Sequence, residues 1–224
     1  MNTPRFNSFN EIHKALRTLM FDTVMRLQHA DPGDPVGCRP AIEQVELLLE
    51  LMDGHANHED HFILHPMEEK APVLIQEFES EHFVDLALSA QLRQKIAIYH
   101  EADDKEAAGR QLYYALNAYV AFNLQHMNKE EQQLNQVLWE HYSDQELLGV
   151  VQKIKQSVRP DEMKIVFEWM VKGLNNVELL QWLNALKRQA PAFVLRMVVD
   201  ACCEYLPAAR WQLIKAGAGE LELA

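Results

Sequence analysis

The chain has 224 residues, 48% of them hydrophobic and 24% charged, with a formal net charge of −12. These proportions suit a water-facing globular protein, and the negative charge, with no basic cluster to offset it, argues against non-specific binding to nucleic acid or to an anionic membrane surface. No run of about 18 apolar residues is present to span a membrane. The first residues, Met1 to Phe6, have no signal-peptide apolar core, and three cysteines, Cys38, Cys202 and Cys203, fit a reducing cytoplasm rather than a disulfide framework.

Glycine and proline are sparse, 8 and 9 residues, and helix-forming Leu, Ala, Glu and Gln are plentiful. Ser8-Phe9-Asn10-Glu11 has the spacing of a capping box and predicts the start of a first helix with His13, Leu16, Met20, Val24 and Leu27 in one column. Asp31 to Gly37 has loop composition. Pro40 suits the first turn of a second helix running to about His65, with Val45, Leu48, Met52, His55, Glu59 and Phe62 on one face. A third helix follows Ala71-Pro72 and reaches about His100. Its inner column is Ile75, Phe78, His82, Leu86 (or Asp85) and Ser89. Asp103-Asp104 can cap a fourth helix, to about His141, with Leu112, Leu116, Tyr119, Asn123, His126, Glu130, Leu134 and Val137 in line. Four long amphipathic helices predict an all-α, up-down-up-down four-helix bundle over residues 1–142. Beyond it, Ser143-Asp144-Gln145-Glu146 is a second capping box. It opens shorter helices at roughly 144–157, 160–173, 176–190, 192–205 and 207–216, a smaller helical C-terminal region over residues 143–224 that has no histidine.

Each long helix carries one histidine in its apolar column: His13, His55, His82 and His126. Two columns add a glutamate one turn later, Glu59 and Glu130. A buried carboxylate is costly unless a cation meets it, and neither column holds Lys or Arg. One His–x–x–x–Glu pair means little, but two on different helices, with a histidine on each remaining helix, point to a shared site. Four imidazoles and two carboxylates suit two first-row metal ions with the carboxylates bridging, and the absence of thiolate argues against structural zinc. His58, His61 and His65 form another column with supporting or surface roles. His29, His100 and His141 lie at helix ends, where a cationic ring complements the dipole.

The runs Ile12 to Arg17, His55 to Asp60, Ser80 to His82, and Ala121 to Glu131 resemble a bacterial hemerythrin-like (HHE cation-binding) domain over about residues 8–142. Leu138 to Leu147 and the helices beyond resemble the C-terminal extension of some longer members. The resemblance implies a four-helix bundle holding a non-haem di-iron centre, with His13, His55, His82 and His126 as terminal ligands and Glu59 and Glu130 as bridges. Invertebrate dioxygen carriers of this family have a second histidine four residues along the third helix, where this chain has Leu86. They also place an acid five residues after the last histidine, whereas here Glu130 stands at four and Glu131 at five. One histidine fewer and one glutamate more resembles the iron-centre repair proteins of nitrosative-stress response, though this chain shows no N-terminal Cys-containing domain like theirs.

The resulting expectation is a cytoplasmic di-iron protein that binds or reacts with dioxygen, nitric oxide or hydrogen peroxide in sensing, storage or stress response. Fewer histidines leave more coordination open to small ligands, which favours reaction over carriage. Two alternatives stand beside it. One is a di-iron enzyme, a peroxidase, oxidase or iron-centre repair protein, with Tyr113, Tyr114, Tyr119 or His58 as proton donor. The other is an interaction module whose C-terminal helices dock a protein partner according to iron state.

Overall fold

The computed structural model describes residues 5–219, which are helical throughout apart from short connections, with no strand among them. The chain divides into two compact units, Met1–Asn10 with Leu19–Ser157, and Glu11–Thr18 with Val158–Ala224. The long helices are α1 (Asn10–His29), α2 (Pro35–Glu59), α3 (Pro72–Glu101) and α4 (Lys105–Lys129), which forms one rod with α5 (Asn135–His141). They make the up-down-up-down bundle, with α3 and α4 as its most intimate pair.

Local chemistry sets the ends. Asn7, rather than Ser8, opens α1: its Oδ1 accepts from the backbone N–H of Phe9 at 2.9 Å and of Asn10 at 3.1 Å. The second helix starts five residues earlier than Pro40 suggests. Asp34 accepts from the Val36 N–H and Pro35 takes the first turn, where a proline has no N–H to lose. Asp104 caps α4 by accepting from Ala107 N–H at 2.9 Å.

The core of α3 repeats in alternating steps of three and four: Ile75, Phe78, His82, Asp85, Ser89, Leu92, Ile96 and Tyr99 are all buried. Such a heptad keeps one seam facing its neighbours, and it puts Asp85 inside and leaves Leu86 61% exposed. Asp85, the second option at that place, is therefore the inner residue.

Two rods contain a π-helical turn, Asp60–Leu64 after α2 and Glu130–Leu134 after α4. His65 N–H donates to the Asp60 carbonyl and Asn135 N–H to the Glu130 carbonyl, each five residues back. One extra residue per turn advances the register, so the buried residues below the turns are Met67 and Leu138 rather than the face continued by Phe62 and Val137, which are only half-buried. Ile63, Leu64, Met67, Ile75, Phe78, Leu134 and Leu138 pack with Phe9 and Leu147 of α6 (Asp144–Ser157) into an apolar cluster. Ser143 and Glu146 close the capping box of α6 as the spacing foretells, Ser143 N–H to Glu146 Oε2 at 2.8 Å and Glu146 N–H to Ser143 Oγ at 3.3 Å.

In the second unit α7 (Pro160–Gly173) packs on α9 (Ala192–Tyr205), and α8 (Asn176–Gln189) on α9 and α10 (Ala208–Ala218). The described buried side chains of these C-terminal helices are apolar, with Phe167 edge-on to Trp182 at 5.2 Å between ring centroids. Gly173 is required by close approach: a Cβ there would lie 2.5 Å from the Lys14 carbonyl oxygen. Lys14 also pairs with Glu178, which completes a capping box with Asn175.

Candidate metal centre

The helical columns bring six side chains together. His13, Glu59, His82, His126 and Glu130 are buried and His55 is half-buried. One ligand atom from each of His13, His55, Glu59 and Glu130 lies within 4.8 Å of the others, and the same holds for Glu59, His82, His126 and Glu130. The two carboxylates belong to both groups. Glu59 Oε1 is 3.1 Å from His55 Nε2, and its Oε2 is 3.7 Å from His82 Nε2. Glu130 Oε1 is 3.3 Å from His126 Nε2. His82 and His126 bring their Nε2 atoms to 3.1 Å.

Electrostatics mark the cluster as strained without a cation. Burial raises the Glu59 carboxyl well above the usual carboxylate range, and the neighbouring charge of Glu130 adds to that. Burial disfavours a charged His126, yet hydrogen bonding and charge from Glu130 and then Glu81 outweigh it and lift the ring to about 9. Two imidazole nitrogens converging at 3.1 Å beside two buried carboxylates form a donor set that a shared cation relieves. Nitrogen and oxygen donors without sulfur fit a first-row transition metal.

Around this cluster lies a polar layer that helical periodicity does not reveal. His82 Nδ1 is 2.6 Å from Asp60 Oδ1, and His126 Nδ1 is 2.8 Å from Glu81 Oε2. Lys129 holds Glu81 in turn and reaches Glu77 at 2.6 Å. One turn along the core, Asn123 Nδ2 donates to Asp85 Oδ1 at 2.6 Å, and burial raises the Asp85 carboxyl despite that bond. A cleft of about 600 Å³, whose lining includes Asp53, Asp60, His82, Asp85 and Leu86, opens beside His82.

Of the other residues singled out, Glu131 is half-buried and belongs to neither group. His61 and His65 are exposed, His65 against Glu68 at 2.7 Å, and His58 is half-buried. His29, His100 and His141 are exposed at helix ends. Tyr119 is buried and Tyr114 exposed.

A family model described as the hemerythrin HHE cation-binding domain matches residues 6–138, well over half of the chain. The chain belongs to that family. Neither a curated protein nor a solved structure matches it. Hemerythrin domains bind metal ions, typically iron, and the candidate histidine and glutamate groups of this one lie inside the matched residues. No helix among the described residues is long and apolar enough to cross a membrane.

Proposed function

We propose that this hemerythrin domain holds two iron ions, one among His13, His55, Glu59 and Glu130 and the other among Glu59, His82, His126 and Glu130. It would bind or react with dioxygen, nitric oxide or hydrogen peroxide. The observation that carries the reading is the sharing of Glu59 and Glu130 between the two groups. A carboxylate has two oxygens and can span two ions, whereas each imidazole serves one. A pair of iron ions supplies open coordination positions and electrons for a small diatomic or peroxide.

The protein's part is to place the donors and control approach. The apolar cluster of Phe9, Ile63, Leu64, Phe78, Leu134 and Leu138 keeps water from one side of the bundle interior. The cleft beside His82 supports access for a small molecule from solvent. Leu86 stands exposed where the dioxygen carriers have a further histidine, so the nitrogen donors remain four. That favours ligand reaction or sensing over reversible carriage, and three free cysteines favour the cytoplasm as the setting.

The test is elemental analysis and an absorption spectrum of protein from iron-supplemented cells. About two irons per chain are expected, with near-ultraviolet absorption of a bridged ferric pair that changes on adding nitric oxide or peroxide. One zinc and no iron, even after iron loading, would overturn the reading.

A further inference from the structure

We propose that Asp60 and Glu81 are positioning residues that turn His82 and His126 so that both rings bind metal through Nε2; this rests on the ligand assignment just given. An ionised carboxylate accepts hydrogen bonds and cannot donate them. The Asp60 oxygen 2.6 Å from His82 Nδ1, and the Glu81 oxygen 2.8 Å from His126 Nδ1, therefore place the ring proton on Nδ1. That leaves each Nε2 as the inward-facing nitrogen, where the two meet at 3.1 Å, the donor open to a metal that displaces any proton there.

Neither carboxylate comes from the helix of the ring it holds. Asp60 reaches His82 of α3 from the rod of α2, and Glu81 of α3 reaches His126 of α4. The angle of each ring is thereby set by the neighbouring helix. The Asp60 backbone and the Glu81 carboxylate are themselves held in place. Asp60 opens the first π turn, and its N–H is shared between the carbonyls of Ala56 and Asn57. Glu81 is clamped by Lys129, which Glu77 anchors in turn. A plain surface ion pair needs none of this bracing. The Asp60 side chain is 49% exposed, so as an ion pair it adds little to folding. Its effect falls on the ring it holds.

Outer partners of metal-bound histidines are typically worth about 10- to 100-fold in metal affinity. The experiment titrates the metal-free full chain with cobalt(II) against a competing chelator, and records the exchangeable, paramagnetically shifted ring N–H resonances. Asp60→Ala and Glu81→Ala should each weaken cobalt binding by about 10- to 100-fold, and each should lose one shifted resonance. Asp60→Asn and Glu81→Gln keep an acceptor oxygen and should recover most of the affinity and the resonance. Metal-free melting should stay nearly unchanged in the two Asp60 variants; the Glu81 variants should lower it, because Glu81 also holds Lys129, with Glu81→Gln still recovering the affinity. His82→Ala and His126→Ala are the controls. If they keep the full cobalt stoichiometry, the ligand assignment itself fails. If they lose metal while the two carboxylate-to-alanine variants bind cobalt within about twofold and keep both resonances, the positioning role alone is overturned. It is also overturned if metal-free melting falls in step with affinity and the amide variants restore neither.

Discussion

The bundle and the C-terminal helices follow one recipe, amphipathic helices joined by short turns, yet their interiors differ. Among the described residues the buried polar and charged side chains, such as Thr23, Glu59, Asp85, Asn123, Glu130 and Asn135, all precede α6. In residues 158–219 the described buried side chains are apolar, such as Phe167, Trp182, Leu183 and Val198. They include Cys202, whose thiol burial pushes up to about 12, leaving it inert at neutral pH. Buried polar groups cost stability unless satisfied, so the first interior has given up stability for a site, whereas the second is built for packing alone.

The largest effect should come from Glu130→Gln. It should abolish retention of at least one iron, checked by elemental analysis. Full iron retention in that variant would mean that Glu130 is not a ligand. In the second interior, Trp182→Ala should cost about 3–5 kcal/mol by opening a cavity. Denaturant melts should record the loss while iron content per folded chain stays the same.

A third test uses pH. Glu59 and His126 both have raised values in the metal-free fold, Glu59 above 4.5 and His126 at about 9 against 6.5. A group raised by folding stabilises fully below its unfolded value, and that contribution is lost as pH rises through the folded value. Metal-free protein should therefore weaken as pH climbs from about 6 toward 9, while metal, which displaces those protons, holds the loaded form. The gap in melting temperature between loaded and metal-free protein should widen over that range. A constant or shrinking gap would remove the argument for titratable ligands in the core. The smallest effect is Glu131→Ala, which should keep both irons and change stability by no more than about 0.5 kcal/mol. Loss of iron there would move the bridging role to Glu131.

Much of the bundle was legible because burial imposes periodicity. The four histidines and two glutamates occupy columns whose apolar members, Leu48, Met52, Leu112 and Leu116, are buried, and the C-terminal breaks follow Pro160, Pro191 and Pro207. What escaped has specific physical causes. Asp85 hid behind Leu86 because the choice between a three- and a four-residue step depends on the whole heptad of α3. The displacement of Phe62 and Val137 by Met67 and Leu138 was invisible because a π turn has no composition signal of its own. Asp60 and Glu81 lie one residue off their columns and act across to another helix, which spacing along one helix cannot express. Asn7 took the place of Ser8 as cap through local hydrogen bonding that the capping-box pattern does not distinguish.

The two π turns, Asp60–Leu64 and Glu130–Leu134, have a consequence for how such a bundle can vary. An α-helix turns by about 100° per residue, so one extra residue rotates everything beyond it by that amount without a loop or a break. Each of these rods is thus two helices in different phase, welded end to end. The upstream length is timed to the convergence of imidazoles and carboxylates, and the downstream length to the apolar plug formed with Phe9 and Leu147. Deleting one residue from either turn would restore a continuous α-helix and keep the downstream length in phase with its plug, whereas straightening the turn at unchanged length would rotate that length by about 100°. Substitutions on the two sides of the turn answer to separate geometric demands, and the chemistry of the ligand layer can be altered while the closure of the bundle end keeps its own clock.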